Sequence, residues 1–152
     1  MVITTKLFGE VEVDDAKKIT FVQGIIGFPE LKDFLLIHDS ESSDSIRWLQ
    51  SVQEPAFAMP VIDPLTIAPD YDPMVEDELL KPLKIENPDE VLVIVTITVP
   101  SDLTKMSVNL KAPIIINGET RLANQIIIEG DQYMVKYPIY DILQAAKERA
   151  GK

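Results

Sequence analysis

The alternation of apolar and polar residues predicts a chain built mostly of short strands. Val2–Val13 reads as two of them around Gly9 ("VITTKL" and "EVEV"), because β-branched residues recur there at period two. After the turn signal Asp14-Asp15 come Ile19–Val22, Phe34–His38 and Ile46–Val52, the last two separated by the polar stretch "DSESSDS". Phe57–Ile62 continues the pattern, and Pro60 restricts it to an edge or bulge, since proline has no N–H for a ladder. Val91–Val99, "VLVIVTITV", carries the strongest strand signal. Its nearly continuous apolar run implies burial on both faces or a central position in a closed sheet. Met106–Leu110, Pro113–Ile116, Arg121–Glu129 and Tyr133–Lys136 follow, with "NGE" and "GDQ" as hairpin turns.

Three stretches break the two-residue period. Asp63–Asp72, "DPLTIAPDYD", is punctuated by proline and aspartate and is expected to be irregular. Met74–Leu83 predicts a short helix with Val75, Leu79 and Leu80 on its apolar face, ended by Pro82. At the tail, Ile139, Ile142, Leu143 and Ala146 share one face of a helix that Pro138 can start. Lys147 and Arg149 suit the negative end of its dipole. The expected fold is mainly β: a compact antiparallel β-barrel or sandwich of short strands with a C-terminal helix. Neither a repeat nor a linker divides residues 1–152, so a single domain is expected.

Composition sharpens this picture. Eleven prolines oppose long helices, and no apolar run approaches the roughly 20 residues of a membrane span. The absence of cysteine removes disulfides and thiolate chemistry and is compatible with a reducing cytoplasm. Twenty-five acids against fourteen bases give a net charge of -11. Such a surface repels phosphates, which argues against direct nucleic-acid binding; it either favours encounter with basic proteins or merely keeps the protein soluble.

No catalytic constellation emerges. The single histidine, His38, adjoins Asp39 and several serines, but sequence neighbours at a strand end point in different directions and do not build a triad. There is no G-x-S-x-G elbow, Walker loop or dinucleotide fingerprint. "DYDPMVEDE" (Asp70–Glu78) concentrates five carboxylates but lacks the central glycine and terminal glutamate of a calcium loop. A solvated acidic face is the expectation, with no metal and no cofactor.

The loop "FVQGIIGFPE" sets two glycines three apart. A phosphate loop needs Gly-Lys-Ser/Thr entering a helix, whereas Gly27 precedes Phe28-Pro29. An RNA-clamping G-x-x-G fits poorly with Ile25-Ile26 in an acidic protein. What remains is backbone freedom at Gly24 and Gly27 and a fixed exit at Pro29. Ile25, Ile26 and Phe28 then either cap an open barrel end or anchor a protein partner.

Taken in order, "FVQGIIGFPELKDFLLI", "WLQSVQEPAFAMPVIDP", "PDYDP", "VLVIVTITVP" and "VNLKAPIIIN" resemble the bacterial flagellar assembly factor FliW family. The resemblance runs from the first strand to about Tyr137 and leaves the terminal helix, Ile139–Arg149, outside it. It implies a cytoplasmic, non-enzymatic regulator with a small β-barrel, which binds flagellin. When flagellin is secreted, the freed factor is expected to capture the carbon storage regulator CsrA, an RNA-binding repressor of flagellin translation, and relieve repression. That antagonism is expected to act by coupling beside the RNA-binding surface rather than by mimicry. A monomer is expected when the protein is free.

On that resemblance, partner contacts are expected from the acidic segment Asp63–Glu78, with Asp70, Asp72, Glu76 and Asp77 supplying charge and Tyr71 aromatic area. Trp48 and Phe57 are assigned to the core. Gln50 and Asn109 are candidates either for polar contact or for turns and bulges. The competing expectation is a small-molecule-binding β-barrel with a ligand cavity inside.

Overall fold

The computed structural model describes residues 2–6, 8–38, 46–73, 75 and 77–150. Strands β1 (Val2–Thr5) and β2 (Gly9–Glu12) form an isolated antiparallel hairpin. Thr5 closes its turn: the hydroxyl donates to the Gly9 carbonyl at 3.0 Å and accepts the Phe8 N–H at 2.8 Å.

The main sheet contains β3 (Ile19–Phe21), β4 (Asp33–His38), β5 (Arg47–Ser51), β6 (Ala58–Ile62), β7 (Val91–Thr98), β8 (Ser107–Val108), β9 (Ile114–Asn117), β10 (Leu122–Gln125) and β11 (Tyr137–Pro138). Seven of these strands close a ring in the order β7-β6-β5-β4-β3-β10-β9, with β9 returning to β7. The expected barrel is thus the one formed. Its neighbours are antiparallel except β3 and β10, which run parallel (Leu122 opposite Thr20, Ala123 opposite Phe21). Short β8 and β11 extend the sheet outward from β7.

The period-two pattern accounts for the interior. Ile19, Phe21, Phe34, Leu49, Val61 and Ile114 all point inside the ring and are buried. Phe21 and Phe34 meet edge-to-face at 5.2 Å. Each such side chain contributes about 1.5–3 kcal/mol by leaving water, and together they fill the interior, as barrels this narrow do. The outer face supports two more apolar clusters. Val95, Ile97 and Val108 pack with Ile67, Tyr71 and Ile139, while Ile115, Ile126 and Ile128 pack with Leu83. The run of β7 is covered on both faces around Ile94, which enters the barrel core, and Val95, which joins the outer cluster.

Four elements differ from the sequence expectation, the first being the strand expected over Arg121–Glu129, which ends at Gln125. Residues 63–72 are not wholly irregular: the Asp63 carboxylate accepts the Leu65 N–H at 2.9 Å and Pro64 follows, giving a one-turn helix, α1 (Pro64–Ile67). The helix expected over 74–83 shortens to α2 (Asp77–Leu80), followed by a 3₁₀ turn, Lys81–Leu83, that contains Pro82. Tyr133–Lys136 forms no strand after "GDQ". Its backbone gives one bond, from the Leu110 N–H to the Met134 carbonyl at 3.0 Å, and strand pairing begins only at Tyr137. Met74, the expected helix start, lies outside the described residues.

The terminal helix α3 (Tyr140–Ala150) forms as its period predicts. Pro138 ends β11 instead of starting the helix, and Ile139 sits between them, fully buried. Ile142 and Leu143 pack beside it on the β6–β7–β8 face. No helix among the described residues is long and apolar enough to cross a membrane.

Candidate partner-binding surfaces

The glycine loop is three successive turns. Gly24 N–H donates to the Phe21 carbonyl, Phe28 N–H to Ile25 and Leu31 N–H to Phe28, at 3.2, 2.8 and 3.0 Å. Gly24 and Gly27 have φ of +72° and +91°, a region that glycine enters without penalty. A Cβ on Gly24 would also collide with the Pro29 backbone. The Ile26 N–H donates to Gln125 Oε1 at 3.0 Å, and Gln125 Nε2 donates to the Ala112 carbonyl at 3.1 Å. The loop is thereby stitched across the barrel end.

This geometry divides the three apolar side chains. Ile25 is buried and joins the barrel core, whereas Ile26 and Phe28 are 49% and 42% exposed. Phe28 rests edge-on against Phe57 at 4.8 Å, and Phe57 in turn packs towards Phe34. Capping and display are thus done by different residues of one loop. Beside it, Ile127 and Val135 are also exposed, and with Ile26 and Asn109 they line a cavity of about 410 Å³ at this mouth of the barrel.

Other candidate residues divide between structural and surface positions. Gln50 is fully buried, and its Nε2 lies 3.0–3.1 Å from the carbonyls of Ser51, Pro55 and Phe57. It pins the β5–β6 turn from within and offers no surface to a partner. Asn109 Oδ1 accepts the N–H groups of Lys111 and Ala112 at 3.1 and 3.0 Å, so it shapes a turn while also bordering the barrel mouth. Trp48 is half-buried and meets Phe8 at 6.1 Å. His38 ends β4 opposite Arg47, but its side chain and Asp39–Ser45 lie outside the described residues.

Tyr71 is inside the acidic segment but faces inward. Its hydroxyl donates to the Leu110 carbonyl at 2.6 Å, and its ring meets Tyr133 at 4.7 Å. Burial, with Tyr133 as the second cause, pushes its pKa above the ordinary tyrosine value. The Tyr133 hydroxyl accepts the Asp72 N–H at 3.0 Å, so two tyrosines hold this segment against the barrel. Asp70, Asp72 and Asp77 remain exposed. Glu76 lies outside the described residues. Among the described residues, no three histidines or carboxylates converge as a metal site would require.

Between α1, α2 and the first half of β7 runs a groove of about 910 Å³ that sequence reasoning did not foresee. Leu36, Ile62, Val75 and Leu92 line it, with Asp63 and Asp72 at its rim. Leu92 falls on the inward side of β7 yet is 44% exposed there, because the neighbouring strand has ended.

The fold is thus a filled seven-stranded β-barrel whose apolar grooves, at its mouth and wall, are bordered by loops and strand ends. The FliW protein family model matches residues 2–139, and the chain belongs to that family. It is 48% identical to the flagellar assembly factor FliW of Lachnospira eligens, over 95% of this chain and 97% of the relative. Identity to the factor of the same name from Lachnoclostridium phytofermentans is 44%, covering 100% and 99%. A crystal structure of the flagellar assembly factor FliW superposes with a TM-score of 0.84 at 34% identity, over 91% of this chain and 96% of that one. The family match ends at Ile139, the residue that seats the terminal helix. Membership supports a role in flagellum assembly.

Proposed function

We propose that this protein is a cytoplasmic, non-enzymatic regulator that binds newly made flagellin and, when free of it, sequesters CsrA. The observation that carries this reading is family membership across nearly the whole chain. A net charge of -11 suits capture of an RNA-binding protein, which must itself carry basic surface. Exposed Ile26 and Phe28 on a hydrogen-bonded loop suit an apolar anchor that costs little ordering on binding. Exposed Asp70, Asp72 and Asp77 supply charge at the acidic face. Free protein is a monomer, and relief of repression works through coupling between RNA and factor on CsrA.

The test mixes the protein with flagellin, with CsrA and with both, and resolves the complexes by size-exclusion chromatography. Two binary complexes that exclude each other are expected. Failure of both to form rejects the reading. With saturating RNA present, coupling gives weakened ternary binding, whereas mimicry gives none. Changing Asp70 and Asp72 to lysine is expected to weaken CsrA capture; normal binding of both partners would make this segment a solvated face only.

A further inference from the structure

The barrel wall is incomplete beside β7. Strand β6 pairs with β7 only through Val61–Thr96 and Ile62–Val95, then turns away as Asp63 caps α1. On its other side β7 is paired with β9 from Val91 to Ile94. The Thr96 carbonyl accepts the Asn109 N–H and the Glu90 carbonyl accepts the Gly118 N–H, so even-numbered residues here direct their backbone groups towards β8 and β9. Strand geometry then aims the N–H and C=O of Val91 and Val93 at the line that β6 has left. Among the described residues, no strand pairs with them on that side. The large groove lies along this edge and is lined by both faces of β7.

We propose that this gap accepts an extended segment of a partner protein, about four residues long, with apolar side chains on both faces and basic residues flanking them. The open ladder selects an extended backbone, because only a strand offers donors and acceptors at the matching interval. The lining selects apolar side chains: one face meets Leu36 and Leu92, the other Val75 and Leu80. The charge comes from the walls. Asp63 and Asp72 line the groove with one cation, Arg47, and residues 63–90 together hold nine acids against two lysines, of which Lys81 is paired with Glu78 at 2.9 Å. A basic flank therefore meets complementary potential on either side of the groove. This inference stands on the geometry alone and is independent of which proteins the chain captures.

The experiment selects a displayed library of random heptapeptides on the full chain, then follows synthetic copies of the enriched peptides by amide hydrogen exchange. Enrichment of continuous apolar runs of about four residues, rich in β-branched side chains and flanked by lysine or arginine, is expected. Such a peptide is expected to slow exchange at Val91 and Val93 by about tenfold or more, and to bind less well as salt rises. Val93→Pro deletes a donor that the β9 ladder does not use and is expected to abolish binding. Leu92→Lys, at an exposed position, is expected to weaken it about tenfold and serves where the proline variant fails to fold. No enrichment, selection of acidic or helix-forming peptides, or protection elsewhere on the barrel overturns the proposal. So does protection of Val91 and Val93 in concentrated protein alone, which would make a second copy the occupant. Neither flagellin nor CsrA is present, so failure here leaves the proposed function standing, and the reverse holds too.

Discussion

The Tyr71 hydroxyl and the Leu110 carbonyl, 39 positions apart, share a buried 2.6 Å hydrogen bond that fastens the acidic segment to the barrel. Tyr71→Phe keeps the ring against Tyr133 but leaves that carbonyl without its donor. A loss of about 1–3 kcal/mol is expected in urea denaturation. The same bond gives stability a pH limit. Because burial raises the pKa of the native hydroxyl, its contribution is complete below the unfolded value of about 10 and declines as pH rises beyond it. The urea midpoint should hold steady from neutral pH to about 9 and then fall. The fall should be shallower in Tyr71→Phe; an identical alkaline limb would remove Tyr71 as its source.

The two loop glycines are expected to differ in their sensitivity to substitution. Gly24→Ala forces a side chain into positive φ and into the Pro29 backbone, whereas at Gly27 the strain in φ is alone because the surrounding space is open. Gly27→Ala should cost about 1–2 kcal/mol, and Gly24→Ala clearly more, as read from thermal or chemical unfolding. Equal losses would mean that the loop shifts freely to admit the new methyl.

Gln50→Ala strips the amide donor from the carbonyls of Ser51, Pro55 and Phe57 inside the β5–β6 turn. The expected loss is about 1–3 kcal/mol, from the Ser51 carbonyl and the space left behind, since the Pro55 and Phe57 carbonyls keep the Lys6 and Ser51 N–H groups. Binding measured on the folded fraction should be unchanged, which separates this residue from a contact.

Adjacent isoleucines should give opposite phenotypes. Ile25→Asp inserts a charge among Phe21, Leu31 and Phe34 and is expected to prevent folding. Ile26→Asp alters an exposed side chain and should leave the unfolding midpoint within about 0.5 kcal/mol. Its expected defect is in flagellin pull-down, shared with Phe28→Ala. Normal pull-down by both variants would reduce the loop to a cap.

The barrel was legible because most of its strands carry their own signals. β-Branched alternation, turn residues and one continuous apolar strand each point to the same architecture. Helix α3 was legible through Ile139, Ile142 and Leu143. The parallel β3–β10 pairing left no local trace, since register between distant segments is decided by which faces meet. Tyr71 looked like surface because its neighbours are acidic and proline-rich; its true setting depends on Leu110 and Tyr133, far along the chain. Gln50 could be contact or turn until its three carbonyl partners were known. The gap beside β7 was invisible for a related reason: Val91 and Val93 read as ordinary strand residues, and only the departure of β6 leaves one side of them without a strand.

Because β3 meets β10 directly, the ring is sealed by segments roughly a hundred residues apart, among the costliest contacts for a chain to find. A ribosome presenting the first hundred residues has already made β3 to β7 but neither of the strands that complete the circle. Until Leu122 emerges, Ile19, Phe21 and Phe34 lack their final neighbours, and the nascent chain has open sheet edges at both sides. Closure of the ring is thus a checkpoint late in synthesis, and the candidate surface at its mouth exists only in protein that has passed it.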